Sequence, residues 1–124
     1  MNDPVNLLDQ HCVDNASALD AAAIATLLPQ VPGWAIEDGQ LRRNFALRDY
    51  HETIAFVNVL AAMVHQQDHH PELIVTYRHC AVSYMTHSAA NALSQNDFIC
   101  AAKANALYAQ RAGAGAGAEA GAQS

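Results

Sequence analysis

The apolar residues of this chain change their period along its length, and a turn-forming residue marks each change. Leu19, Ala23 and Leu27, with Ile24 and Leu28, recur at helical spacing behind Ser17, which has Asp20 three residues on in the capping-box position. Pro29, Pro32 and Gly33 close that run, so a helix is predicted over 18–28. Trp34-Ala35-Ile36 then reads as a short strand, Asp38-Gly39 as a hairpin turn, and Leu41 to Leu47 as the returning strand. Arg42 and Arg43 inside that strand suit a sheet with one wet face. Asp49 caps a second helix whose broad apolar face carries Phe56, Val57, Leu60, Val64 and neighbours. Its polar end, His65 to His70, is closed by Pro71, which disfavours helical backbone at the residue before it. Leu73 to Tyr77 reads as a third strand. Cys80, Val82 and Tyr84 alternate with Ala81, Ser83 and Met85 as a half-buried fourth. Ser94 with Asp97 is a second capping box, opening a helix to about residue 110.

The order helix, hairpin, helix, hairpin, helix predicts an α+β domain: a four-stranded antiparallel sheet with three α-helices packed on one face. The domain is expected over 17–110, between a flexible arm at 1–16 and a disordered Gly/Ala tail at 111–124, where Gly at alternate positions cannot hold a helix. At 124 residues one domain fits and two do not.

Charge narrows the function classes. The formal net charge is −6 and only 6 Lys and Arg are present, which speaks against a nucleic-acid partner and against docking on anionic membranes. A small, weakly polar substrate fits better. The 3 cysteines form no CxxC pair and read as free thiols. The N-terminus carries no signal-peptide pattern, and no apolar run approaches the ~20 residues of a membrane helix. A cytoplasmic protein is predicted.

Histidine is the chemical signal, with 7 in the chain and His65, His69, His70 and His87 near one predicted end of the sheet. His65 and His69 are spaced to share a helix face, His70 stands at the helix-to-strand bend, and His87 ends the last strand before a small-residue loop. Asp97 follows in the first turn of the next helix. Imidazoles titrate near neutral pH and suit paired proton transfers. A carboxylate such as Asp97 can orient or charge-stabilise one of them. His65 and His69 could also hold zinc with His87 or Asp97, but no HExxH motif or second Cys/His pair supports it, so no metal is expected. His11, His51 and His79 read as solvated.

The set His65-x-x-x-His69-His70-Pro71, Tyr77, His87 and Asp97 resembles the signature of the pterin-4a-carbinolamine dehydratases. Five residues separate Pro71 from Tyr77, nine separate Tyr77 from His87, and nine separate His87 from Asp97, as in that family. Gly33-Trp34, Phe45, Asp49-Tyr50 and Thr86-His87 agree as well, so the resemblance covers about residues 17–108. It implies the same sheet with three helices on one side. It also implies a homodimer or homotetramer. The implied reaction is loss of water from the 4a-hydroxytetrahydropterin left by aromatic amino acid hydroxylases, giving quinonoid dihydropterin. No redox cofactor is needed, because no electrons move. By the same resemblance His69, His70 and His87 are catalytic, and His65, Pro71, Thr86, Ser88 and Asp97 contact the pterin. Trp34 reads as core rather than pocket. The sequence departs from the family's pattern at His65, often glutamate, and at Leu73, often tryptophan. The alternative is a non-catalytic scaffold on the same fold, such as a Rubisco-assembly factor of carboxysome-bearing bacteria, working through a protein-binding face.

Overall fold

The computed structural model describes residues 6–111. The Gly/Ala segment expected to be disordered lies outside them from residue 112 onward. Helix α1 spans Ala21–Leu27 and runs into a 3-10 turn at Leu28–Gln30. Strands β1 (Ala35–Glu37) and β2 (Gln40–Ala46) follow, then helix α2 (Tyr50–Gln67), strands β3 (Glu72–Val75) and β4 (His79–Tyr84), and helix α3 (Gln95–Gln110). The predicted α+β pattern is therefore the observed one. The sheet order is β1-β2-β4-β3, every pair antiparallel. Asp38 (φ 52°) and Gly39 (φ 75°) both take left-handed backbone in the first hairpin. That is the twist a two-residue turn between right-twisted strands needs.

One face of the sheet is dry. Leu41 and Phe45 of β2, and Cys80, Val82 and Tyr84 of β4, are fully buried against Phe56 and Leu60 of α2 and Phe98 and Cys100 of α3. Burial of each large side chain of this kind contributes about 1.5–3 kcal/mol. Phe45 centres an aromatic cluster, with ring centroids 4.8 Å from Phe56, 4.9 Å from Tyr108 and 5.8 Å from Trp34. Trp34 is indeed core: its indole N–H donates to Asn105 Oδ1 at 2.7 Å. Among the described residues no helix is long and apolar enough to cross a membrane.

Three local expectations are corrected. Helix α1 is capped by Asp20, not Ser17: Asp20 accepts from Ala23 N at 2.8 Å, while Leu19 N is drawn off to Leu93 O at 2.9 Å. Helix α2 stops at Gln67, because Asp68 turns left-handed (φ 52°) and its N–H closes onto Val64 O. His69 thus leaves the helix, and the shared face with His65 is lost. The segment expected to be a loose arm is anchored from Asn6 on. Leu7 enters the core, and Lys103 Nζ donates to Leu8 O at 2.9 Å. Gln67 Oε1 accepts from Cys12 N at 2.9 Å. The Asn96 side chain pairs with Val13 twice, accepting from its N at 3.0 Å and donating to its O at 2.8 Å. Hydrogen bonding by two buried amides replaces the apolar pattern this segment lacks.

Candidate active site

Asp97 is the centre from which the site is built. It is the third residue of α3 and is 0% exposed, so its carboxylate is sheltered from water. The capping box supplies one partner, Ser94 N donating to Oδ2 at 2.9 Å. The Thr86 hydroxyl donates to the same oxygen at 2.8 Å. With that proton committed, Thr86 Oγ1 takes the Ser94 hydroxyl as donor at 2.7 Å, and Ser94 Oγ accepts from Asn96 N at 3.2 Å. The chain of donors has one direction and ends on Asp97.

The other carboxylate oxygen faces His69. Oδ1 lies 2.6 Å from His69 Nε2, a short charge-assisted contact. A carboxylate only accepts, so Nε2 carries the hydrogen and donates it. In the neutral ring the lone pair is then on Nδ1, the nitrogen left for chemistry. The His69 ring is further held by stacking on Tyr84, centroids 5.2 Å apart and planes 15° from parallel. Burial raises the pKa of the Tyr84 phenol, keeping it protonated. Backbone turn, buried acid and stacked tyrosine together give His69 one orientation and one tautomer.

His69 forms part of a cleft of about 420 Å³ that also includes His70, Thr86, His87 and Ser88. His87 opens a 3-10 turn at His87–Ala89, closed by left-handed backbone at Ala90 (φ 58°) and Asn91 (φ 65°). His87 Nδ1 is 2.9 Å from Asn91 Oδ1 and donates to it, which leaves Nε2 as the lone-pair nitrogen. His70 is exposed at the cleft edge. The structure brings together His69, His70, His87, Thr86 and Ser88. Asp97 is too deep to touch a ligand and meets the cleft only through its hydrogen bond to His69. His65 is exposed outside the cleft and Pro71 does not line it, so neither is placed as the sequence suggested. Leu73 packs against the core opposite Val82, away from the cleft. Among the described residues no three His, Cys, Asp or Glu side chains converge well enough to hold a metal ion.

The cleft's other wall was not legible in the sequence. Val13, Asp14 and Asn15 line it, held in place by Asn96. A larger groove of about 500 Å³ lies at the opposite ends of α2 and α3, among Arg48, His51, Glu52, Phe56, Leu107 and Arg111. It is mainly apolar and holds one histidine, with none of the clustered imidazoles.

Comparison with known proteins gives the chain's family. Residues 17–107 match the family described as Pterin 4 alpha carbinolamine dehydratase. This chain belongs to the pterin 4 alpha carbinolamine dehydratase family. A relative from Xanthomonas oryzae pv. oryzae, named "Putative pterin-4-alpha-carbinolamine dehydratase", is 46% identical over 115 residues, covering 89% of this chain and 97% of its own. One of the same name from Stenotrophomonas maltophilia is 45% identical, covering 89% and 98%. A crystal structure from Brucella melitensis, titled a transcriptional coactivator/pterin dehydratase, superposes with a TM-score of 0.70 at 28% identity, covering 74% of this chain and 99% of that one. The dehydratase family match spans both hairpins and reaches into all three helices, so it covers every histidine of the cleft.

Proposed function

We propose that this protein removes water from a 4a-hydroxytetrahydropterin to give the quinonoid dihydropterin, with His69, His70 and His87 as its acid–base groups. The observation that carries the reading is the convergence of these three imidazoles in one cleft, with His69 locked by a buried carboxylate. The reaction breaks the C–O bond of the 4a-hydroxyl. A proton goes to the departing hydroxyl and another leaves a ring nitrogen. The charge created at one atom is removed at the other, so the step needs an acid and a base on either side of a flat ring. His69 Nδ1 and His87 Nε2 are lone-pair nitrogens when neutral and donors when protonated, so each can serve either role. Positioned proton transfer of this kind contributes roughly 10²–10⁴-fold. Asp97 steadies His69 in the orientation the transfer needs without contacting the pterin.

An aromatic amino acid hydroxylase would supply the substrate, as the family resemblance implies. Self-association as a homodimer or homotetramer belongs to the same reading. It is supported by the edge strand β3, which leaves Ile74 and Val75 exposed beside an unpaired hydrogen-bonding edge. A partner-binding scaffold has no use for three clustered imidazoles, so catalysis is the better reading. The test is direct. The carbinolamine is generated with a phenylalanine hydroxylase and its ultraviolet decay followed with and without this protein, beside a His69→Ala, His87→Ala double variant. Fast decay with wild type, and only background decay with a folded variant, is the expected result. Background decay with folded wild type would overturn the enzyme reading in favour of the scaffold.

A further inference from the structure

Behind the His69 wall lies a pair of thiols that the dehydration does not use. Cys12 Sγ and Cys100 Sγ are 3.4 Å apart, although the residues are 88 positions apart in sequence. Cys100 is on α3, fully buried, with its thiol beside the Tyr84 hydroxyl, which has no other partner among the described residues. Tyr84 in turn stacks on His69. Cys12 is partly exposed, in irregular chain immediately before Val13, Asp14 and Asn15 of the cleft wall. Hydrogen bonds from Cys12 N to Gln67 and between Val13 and Asn96 hold it against α3.

We propose that Cys12 and Cys100 form a reversible disulfide site, oxidised by a hydroperoxide, that ties the N-terminal wall of the cleft to α3. The two sulfurs must close from 3.4 Å to about 2.05 Å. Cys12 sits in no helix or strand, so its backbone can make that move while α3 stays fixed. The roles of the thiols differ. The hydrogen bond from Cys100 holds the Cys12 thiol below the ordinary value, helped by the nearby His69, while the same bond and burial push Cys100 up. Cys12 is also the thiol a peroxide can reach, since Cys100 is fully buried, so Cys12 is the attacking thiolate. Its sulfur bonds to one peroxide oxygen, the O–O bond breaks, and hydroxide leaves with a proton as water. Cys100 then loses its proton and attacks the Cys12 sulfenic acid. The S–S bond forms and a second water departs. One hydrogen peroxide is reduced by two electrons and two thiols are oxidised to one disulfide. A dithiol reductant reverses the change. Cys80 is fully buried under the sheet and takes no part.

The test uses the folded full chain treated with hydrogen peroxide, alkylated, and mapped by intact mass and peptide mass spectrometry. The proposal predicts loss of two hydrogens, a linked peptide pair from Cys12 and Cys100, Cys80 alone alkylated after unfolding, and reversal by dithiothreitol. Cys80→Ser forms the link as wild type does, and Cys12→Ser, at a partly exposed position, does not. Amide exchange over residues 6–15 slows by roughly tenfold in the oxidised form. Three alkylatable thiols after peroxide, a link that uses Cys80 or joins two chains, or unchanged exchange in the linked form would each overturn it.

Discussion

Replacing Asp97 by asparagine isolates what the buried carboxylate does for His69. Three donors converge on it: His69 Nε2 at 2.6 Å, Thr86 Oγ1 at 2.8 Å and Ser94 N at 2.9 Å. An amide has one accepting oxygen and one donating nitrogen. Ser94 N is a fixed backbone donor at the helix start, so the oxygen stays with it and with Thr86. The NH2 group then faces His69. Nε2 can meet it only by giving up its hydrogen, which moves the proton to Nδ1. Asp97→Asn is therefore a tautomer inversion in an intact fold. It loses one charge-assisted hydrogen bond, about 1.5–3 kcal/mol, in part offset because a neutral amide costs less to bury. The urea midpoint should fall by about 1 M. The rate effect is larger. With Nδ1 protonated in the neutral ring, His69 has no lone pair towards the cleft, and roughly 10²–10⁴-fold in kcat is lost, about 3–5 kcal/mol of barrier. Carbinolamine decay reads the rate, and nitrogen-15 shifts of the His69 ring read the tautomer. A folded Asp97→Asn protein with wild-type kcat, or a ring still protonated at Nε2, would rule out this role for the carboxylate.

Gly33 has φ +88°, and a Cβ there would sit 2.7 Å from the Arg43 guanidinium. Gly33→Ala should therefore cost about 1–3 kcal/mol in urea titrations by straining the backbone and displacing Arg43 from Asn105. Ala90 holds left-handed backbone (φ 58°) in the loop after His87. Ala90→Gly relieves that strain against a smaller entropic loss, so thermal unfolding should show a gain of about 0.5 kcal/mol, with a clear loss counting against the loop geometry. Burial pushes the Cys80 thiol from 9.0 up to about 11. The unfolded chain then sheds that proton first, so stability falls as pH rises between about 9 and 11. Urea titrations across that window should show the fall, with a shallower slope in Cys80→Ala; a flat profile in wild type would contradict it.

Most of the fold was legible because its signals are local. Asp38-Gly39 can satisfy only a tight hairpin, and the alternation from Cys80 to Tyr84 has a period that only a half-buried strand uses. Ser94 and Asp97 form the predicted capping box, and the same acid reaches His69. What was not legible depends on contacts distant in sequence. Nothing near Ser17 reveals that Leu93 O will take Leu19 N and move the cap to Asp20. The exit of His69 from α2 turns on left-handed backbone at Asp68, an ordinary polar residue in sequence. The cleft wall at Val13 to Asn15 is held by hydrogen bonds to an amide on α3, which hydrophobic periodicity does not register. The histidines themselves stood out by spacing, but that Asp97 lies beneath His69 rather than in the cleft required its burial to be seen.

The histidine cleft, and not the larger apolar groove, is the proposed seat of the chemistry. Carbinolamine decay measured with His69→Gln, His70→Gln and His87→Gln, beside His51→Gln from the groove, tests it in one series. Each cleft variant should lower kcat, His69→Gln and His87→Gln by roughly 10²–10⁴-fold, with His51→Gln at the wild-type rate. Full activity in folded His69→Gln and His87→Gln, or a comparable loss in His51→Gln, would place the chemistry elsewhere.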